Sequence, residues 1–212
     1  MKLAVGLFGI HYIEKLNHWS DYGMSVDYRK SLQNCKTNMF DSFLDSTVDY
    51  FSATYKSPLS QVLLNDYKFR KIQFNDIDNT PPINNEKFIR RNRIFKKTVK
   101  LMLGYDYDFA LITRYDIRMM VNINTLTFDF DKINLFYKTK WGEDYNLCDD
   151  NFYFLPYNRL QKFYDDICLI DESISSHRWN QYLSDLNYLI DGIYYSHQSK
   201  IYHVTRTASK SN

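Results

Sequence analysis

The chain has 212 residues, a formal net charge of +2 at pH 7 and 17% aromatic residues, 19 of them tyrosines. That length suits one α/β domain with a sizeable core, and a near-neutral balance excludes a protein that coats nucleic acid with its whole surface. No stretch reaches the roughly 20 apolar residues of a membrane span.

Met1 to Ile10 is apolar but short, and His11, Glu14 and Lys15 follow it without a small-residue cleavage site. It reads as a first strand over Lys2 to Phe8, not as a signal peptide. Gly6 and Gly9 would let another backbone or a ligand approach closely. Residues 28–47 carry a patchy helical stripe through Leu32, Met39, Phe43 and Leu44. Asp49 to Thr54 and Lys68 to Phe74 read as strands. Asn75 to Asn85, with Pro81-Pro82, reads as a loop. From Glu86 a helix places Phe88, Phe95, Val99 and Met102 on one side and Arg90, Arg93, Lys97 and Lys100 on another, and Gly104 stops it.

The apolar run 108–113 then ends abruptly in Thr113-Arg114-Tyr115-Asp116. Ile133 to Tyr137 and Asn151 to Leu155 are further short strands. Pro156 suits the first turn of a helix reaching about Ile170. Ser175 or Ser176 could cap another, with Trp179, Tyr182, Leu183, Leu186 and Ile190 as its apolar face and Gly192 as its end. Ile193 to Val204 reads as a terminal hairpin, and the polar tail from Thr205 as frayed. Alternating strands and helices make the fold α/β, with a mixed, mostly parallel central sheet of about six strands flanked by helices, in one domain over 1–212. Cys35, Cys148 and Cys168 are an odd number at no metal-like spacing, which indicates reduced thiols in a cytoplasmic protein.

Ligands in open α/β sheets sit beyond the carboxyl ends of the strands. Asp116 ends the most clearly buried run, so it is a candidate metal or ligand carboxylate. Asp-x-Asp pairs chelate divalent cations against a diphosphate, but the three literal matches here (Asp76/Asp78, Asp106/Asp108, Asp129/Asp131) are about what chance supplies in an Asp-rich chain. Position leaves Asp76/Asp78 as the runner-up to Asp116. Of the basic helix, Arg90, Arg91 and Arg93 lie at the end that reaches a phosphate, or else on a solvated face. Asp149 and Asp150 are paired carboxylates fit to orient sugar hydroxyls or act as base. His197 or His203 could complete a metal shell. Walker A, Gly-x-Gly-x-x-Gly and Gly-x-Ser-x-Gly patterns do not occur, which argues against P-loop, dinucleotide-binding and α/β-hydrolase readings.

The succession Leu3-Ala-Val-Gly-Leu-Phe-Gly9, basic helix, Tyr107-Asp-Phe-Ala-Leu-Ile-Thr-Arg-Tyr-Asp116-Ile and Asp149-Asp-Asn-Phe-Tyr-Phe154 resembles GT-A glycosyltransferases whose strand ends in Arg-x-Asp. In particular it resembles the small glycosyltransferase domains of large DNA viruses such as chlorella viruses, over roughly residues 1–170. The resemblance implies transfer of a hexose or deoxyhexose from a nucleoside diphosphate sugar, UDP-linked first of all, to a glycan or glycoprotein acceptor, with Mn²⁺ or Mg²⁺ on the diphosphate. It implies a viral protein acting in the host cytoplasm. Asp116 then matches the metal-binding Asp. Arg114 replaces the motif's first Asp and contacts phosphate or another side chain. Leu7, Phe8, Gly9 and His11 hold uracil and ribose, and Asp149 and Asp150 lie near the transferred sugar. The competing readings are a non-catalytic carbohydrate- or protein-binding module using the Tyr-rich surface, and a metal nuclease built on Asp76 and Asp78.

Overall fold

A computed structural model describes residues 1–16, 24–43, 46–77, 86–141, 144–190, 193–194, 201–205 and 207–208. Its centre is a seven-stranded sheet. In chain order the strands are β1 (Lys2–Phe8), β2 (Thr47–Tyr55), β3 (Lys71–Asn75), β4 (Phe109–Arg114), β5 (Ile133–Leu135), β6 (Phe152–Pro156) and β7 (Leu186–Tyr188), and in space they lie β7-β5-β6-β4-β1-β2-β3. Six point the same way, and β6 alone runs antiparallel to β4 and β5.

β1 and β4 lie in the middle, which explains their unbroken apolar runs: both faces of a central parallel strand are covered. Ala4 and Phe8 of β1 face a core filled by α3 (Glu86–Met102) and α4 (Leu160–Leu169), through Phe95, Val99, Met102, Phe163 and Ile167. Leu3, Val5 and Leu7 face the opposite core, where α1 (Arg29–Cys35) contributes Cys35 and α2 (Ser60–Tyr67) contributes Leu63 and Tyr67. Gly6 lets α3 lie close to β1, because a Cβ there would sit 2.5 Å from Met102 Sδ and 3.1 Å from Thr98 Cγ2. Gly104, at φ +84°, ends α3 in the left-handed conformation that a helix C-terminus favours. Among the described residues no helix is long and apolar enough to cross a membrane.

Several elements depart from the sequence reading. The helix expected over 28–47 is α1 followed by a π-helical turn at Lys36–Phe40, and it ends before β2; Leu44 lies outside the described residues. α2 was not anticipated. Pro156 is both the last residue of β6 and the N-cap of a 3-10 turn at Tyr157–Arg159, which leads into α4, so the helix expected from Pro156 to about Ile170 forms with a 3-10 first turn. The helix expected from Ser175 or Ser176 to Ile190 is a 3-10 turn, Ser176–Gln181, followed by β7. Its apolar positions do recur at helical spacing, but Asp185 takes φ +57° and Leu186–Tyr188 pairs with β5, so a seventh strand replaces the helix. Gly192 lies outside the described residues.

Among the described residues the two arms of the expected terminal hairpin pair with other strands and not with each other. Ile193–Tyr194 pairs parallel with Lys138–Trp141, whereas Tyr202–Val204 pairs antiparallel with Ile117–Met119. The tail is engaged at least to Ala208, since Thr207–Ala208 pairs with Ser25 and Met24.

Candidate active site

Six strands end on one edge of the sheet, and β6 begins there because it runs the other way. The edge therefore gathers Phe8 and Gly9, Tyr55, Asn75 and Asp76, Arg114 to Asp116, and Asp149 to Asn151. α3 joins β3 to β4 on the opposite edge, so its first turns, with Arg90, Arg91 and Arg93, also lie here.

Arg114 and Asp116 form a side-on pair. Arg114 Nε donates to Asp116 Oδ1 at 2.8 Å and one terminal nitrogen donates to Oδ2 at 2.6 Å, while the other reaches Asn151 Oδ1 at 3.2 Å. Asp116 keeps only 2% of its surface exposed. A guanidinium fork matched to both carboxylate oxygens is the strong form of this contact.

Asp150 is neutralised in a similar way. Its Oδ2 lies 2.9 Å from Arg91, accepts from Ser176 Oγ at 2.7 Å and faces His177 Nε2 at 3.5 Å. Arg91 also donates to Ser176 Oγ and to the Asp150 carbonyl, and lies 5.2 Å from the Phe8 ring centroid. His177 Nδ1 lies 2.9 Å from the Cys148 carbonyl, which can only accept, so Nδ1 carries the proton. Burial pushes the Asp150 carboxyl up, but Arg91, His177, Ser176 and Arg114 together outweigh it and bring it down to about 2.

Asp149 is held differently. Its Oδ1 accepts from Tyr202 OH at 2.6 Å, from Asn151 Nδ2 at 3.2 Å and from the Asn151 backbone N–H at 3.4 Å. Its Oδ2 is buried with no hydrogen-bond partner among the described residues. Burial chiefly, with the charge of Asp150 added, pushes this carboxyl up to about 7, although Tyr202, His177 and Asn151 favour its ionised form. Adjacent carboxylates driven apart in this way suit a division between holding charge and moving a proton.

Across β1 a cavity of about 510 Å³ opens between the ends of β2 and β3 and the first turns of α3. Tyr55, Phe74, Asn75, Asp76, Arg90 and Arg93 are among its lining residues. Arg90 pairs with Glu86 at 2.9 Å and Arg93 with Glu172 at 2.6 Å. The consecutive Arg90 and Arg91 thus join the cavity to the carboxylate cluster. The volume lies in the range of small-ligand sites.

Other anticipated residues are placed differently. Leu7 is buried in the core on the α1–α2 face. His11 is fully enclosed. Thr54 Oγ1 donates to the Gly9 carbonyl at 2.8 Å and so accepts from His11 Nδ1 at 2.9 Å, while Ser57 Oγ lies 2.7 Å from Nε2. Burial pushes His11 down to about 4, so it braces the turn after β1 as a neutral ring. His203 is exposed, opposite Arg118 in its strand, and alternation turns it away from the face on which Tyr202 meets Asp149. Asp76 is 86% exposed and pairs with Lys56 at 2.8 Å; Asp78 and His197 lie outside the described residues.

The donor set does not fit a divalent cation as placed. Both oxygens of Asp116 hold Arg114, Asp150 holds Arg91, His203 points elsewhere, and no group of three or more His, Cys, Asp or Glu among the described residues could hold a metal. Ser176, His177, Tyr202, Tyr55 and Phe74 were not singled out for the site by the sequence reading. Only their tertiary contacts identify them.

The fold is thus that of an α/β domain with a mostly parallel seven-stranded sheet. No family model matches the chain, and no curated protein matches it. Among solved structures it is similar to a glycosyltransferase involved in the glycosylation of the major capsid of PBCV-1, at 8% identity and a TM-score of 0.42, covering 92% of this chain and 82% of that one.

Proposed function

We propose that the protein is a glycosyltransferase that takes a sugar from a nucleoside diphosphate sugar, UDP-linked first of all, and passes it to a hydroxyl of a glycan or glycoprotein. The observation that carries this reading is the meeting, on one sheet edge, of an aromatic, cation-lined cavity and a buried carboxylate with an unmatched oxygen. Tyr55 and Phe74 offer ring faces to a base. Arg90 and Arg93 offer guanidinium groups to phosphates. Asp149 and Asp150 then stand on the sugar side.

In the transfer, once the acceptor has seated and uncovered the buried Oδ2 of Asp149, its hydroxyl gives its proton to that carboxylate as its oxygen bonds to the anomeric carbon. The bond from that carbon to the diphosphate breaks, and its electron pair leaves on the phosphate oxygen. Guanidinium groups fixed near that oxygen stabilise the growing charge without reorganising. Asp150, ionised beside Arg91 and Ser176, stabilises the positive character of the anomeric centre. The Arg114–Asp116 pair occupies the carboxylate that would hold a metal.

Calorimetric titration with UDP, GDP and CMP, in EDTA and again with Mn²⁺, tests this reading. Binding of UDP in EDTA, with Mn²⁺ changing the affinity less than threefold, is the expected result. Absence of any nucleotide binding would overturn the assignment, and binding of glycan without nucleotide would replace it with a carbohydrate-binding module.

A further inference from the structure

We propose that Tyr202, braced by Tyr137 and Asn151, is the positioning residue of Asp149: it fixes one carboxylate oxygen, so that the other, buried without a partner among the described residues, is the one that takes up and gives up the proton. This rests on the transferase reading for the identity of the acceptor, but its physical half concerns Asp149 alone.

The hydrogen bonds set a direction. A phenol has one hydrogen to give and two lone pairs with which to accept. Tyr202 OH lies 2.6 Å from Asp149 Oδ1, 2.7 Å from Asn151 Nδ2 and 3.1 Å from Tyr137 OH. Asn151 Nδ2 can only donate, so Tyr202 accepts from it. Asp149 Oδ1 accepts from Tyr202, which leaves Tyr137 as the second donor to Tyr202. Tyr202 is thereby saturated and cannot rotate its hydroxyl without breaking a bond. Its ring lies 5.3 Å from that of Phe136 and 6.2 Å from that of Tyr137. Burial raises its own ionisation well above the usual phenol range, so it remains a donor throughout the working pH range.

The segment that delivers Tyr202 is itself tied to the other half of the site. Tyr202–Val204 pairs with Ile117–Met119, just beyond Asp116, and Thr205 donates its backbone N–H to the Asp116 carbonyl at 2.7 Å. One strand therefore registers the segment after β4 against the carboxylate before β6. A hydrogen bond donated to the charged form of a carboxylate favours that form, so Tyr202 both aims Asp149 and keeps it available as a base.

The test uses the full chain with Tyr202→Phe and Tyr137→Phe, which keep the rings. Carboxyl infrared difference spectra against Asp149→Asn follow the titration of Asp149 without substrate. The transfer assay follows kcat and KM from pH 5 to 9. In Tyr202→Phe the Asp149 midpoint is expected to move up by about one unit, so kcat at pH 7 falls about fivefold, donor KM changes less than twofold, and the loss recovers by pH 9. Tyr137→Phe is expected to shift the same way by a smaller amount, and it supplies the measurement if Tyr202→Phe does not fold. A midpoint unmoved in the variants that fold overturns the role of Tyr202, whether or not transfer is observed. Absence of transfer with a shifted midpoint overturns the transferase reading and leaves the positioning of Asp149 standing.

Discussion

Replacing Asp149 by Asn should make the stability of the protein respond differently to pH. The carboxyl titrates at about 7 in the folded protein, against an ordinary value of 3.8, mainly because it is buried. A raised carboxyl has its stabilising, protonated form fully populated below about 3.8. That stability is lost as pH rises through 7, because the unfolded chain ionises freely and the folded one does so at a cost. About three pH units at about 1.4 kcal/mol each give about 4 kcal/mol. At about 2–4 °C per kcal/mol for a chain of this size, that is about 8–16 °C in Tm.

Asp149→Asn removes the titration and adds a packing and hydrogen-bond cost that does not vary with pH. The quantity to read is therefore the difference in Tm between variant and wild type, followed by calorimetry from pH 4.5 to 8. It should climb in favour of the variant by most of that range. His11 has an opposite slope, since its ring stays neutral in the fold down to about 4 and stability falls as pH drops below 6.5. That contribution is common to both proteins and cancels in the difference. Asp150, with its carboxyl at about 2, loses stability only below about 3.8, outside the window. A difference constant within about 2 °C over the window would refute the buried, raised carboxyl at Asp149.

Arg91→Ala should leave Asp150 buried without its guanidinium and cost about 3–5 kcal/mol in urea unfolding, whereas Arg91→Lys restores the charge but not the fork to Ser176 and the Asp150 carbonyl and so recovers only part of the loss. Gly6→Ala should force Met102 and Thr98 back from β1 and cost about 1–3 kcal/mol in the same assay, with UDP affinity unchanged in the folded fraction.

How much was legible in the sequence depended on whether the signal was local. β1, β4 and α3 announce themselves, because an unbroken apolar run and a 3.6-residue stripe are written in consecutive residues. Gly104 marks the end of α3 for the same reason. The position of Asp116 just past the carboxyl end of β4 follows from strand polarity, which a single strand supplies. Its engagement with Arg114 does not follow, since spacing alone cannot say whether a neighbouring guanidinium reaches phosphate or carboxylate. The stripe from Trp179 to Ile190 misled because one core is served from two elements: Trp179 and Leu183 reach it from the 3-10 turn and the residues just after it, and Leu186 and Tyr188 from the edge strand β7. Ser176 lies 26 residues from Asp150, and Tyr202 lies 53 from Asp149. No periodicity connects positions so far apart, so the contacts that decide the ionisation of the two carboxylates could be found only in the fold.

The pairing of Tyr202–Val204 with Ile117–Met119 also has a consequence for biosynthesis. During translation β1, β4 and β6 leave the ribosome well before Tyr202, so the sheet can assemble around an Asp149 that still lacks its phenol. Contacts of such long range form late, because the loop must close before they reward it. The nascent chain would therefore be largely folded before Asp149 gains this partner, its carboxylate being enclosed only when the strand carrying Tyr202 docks.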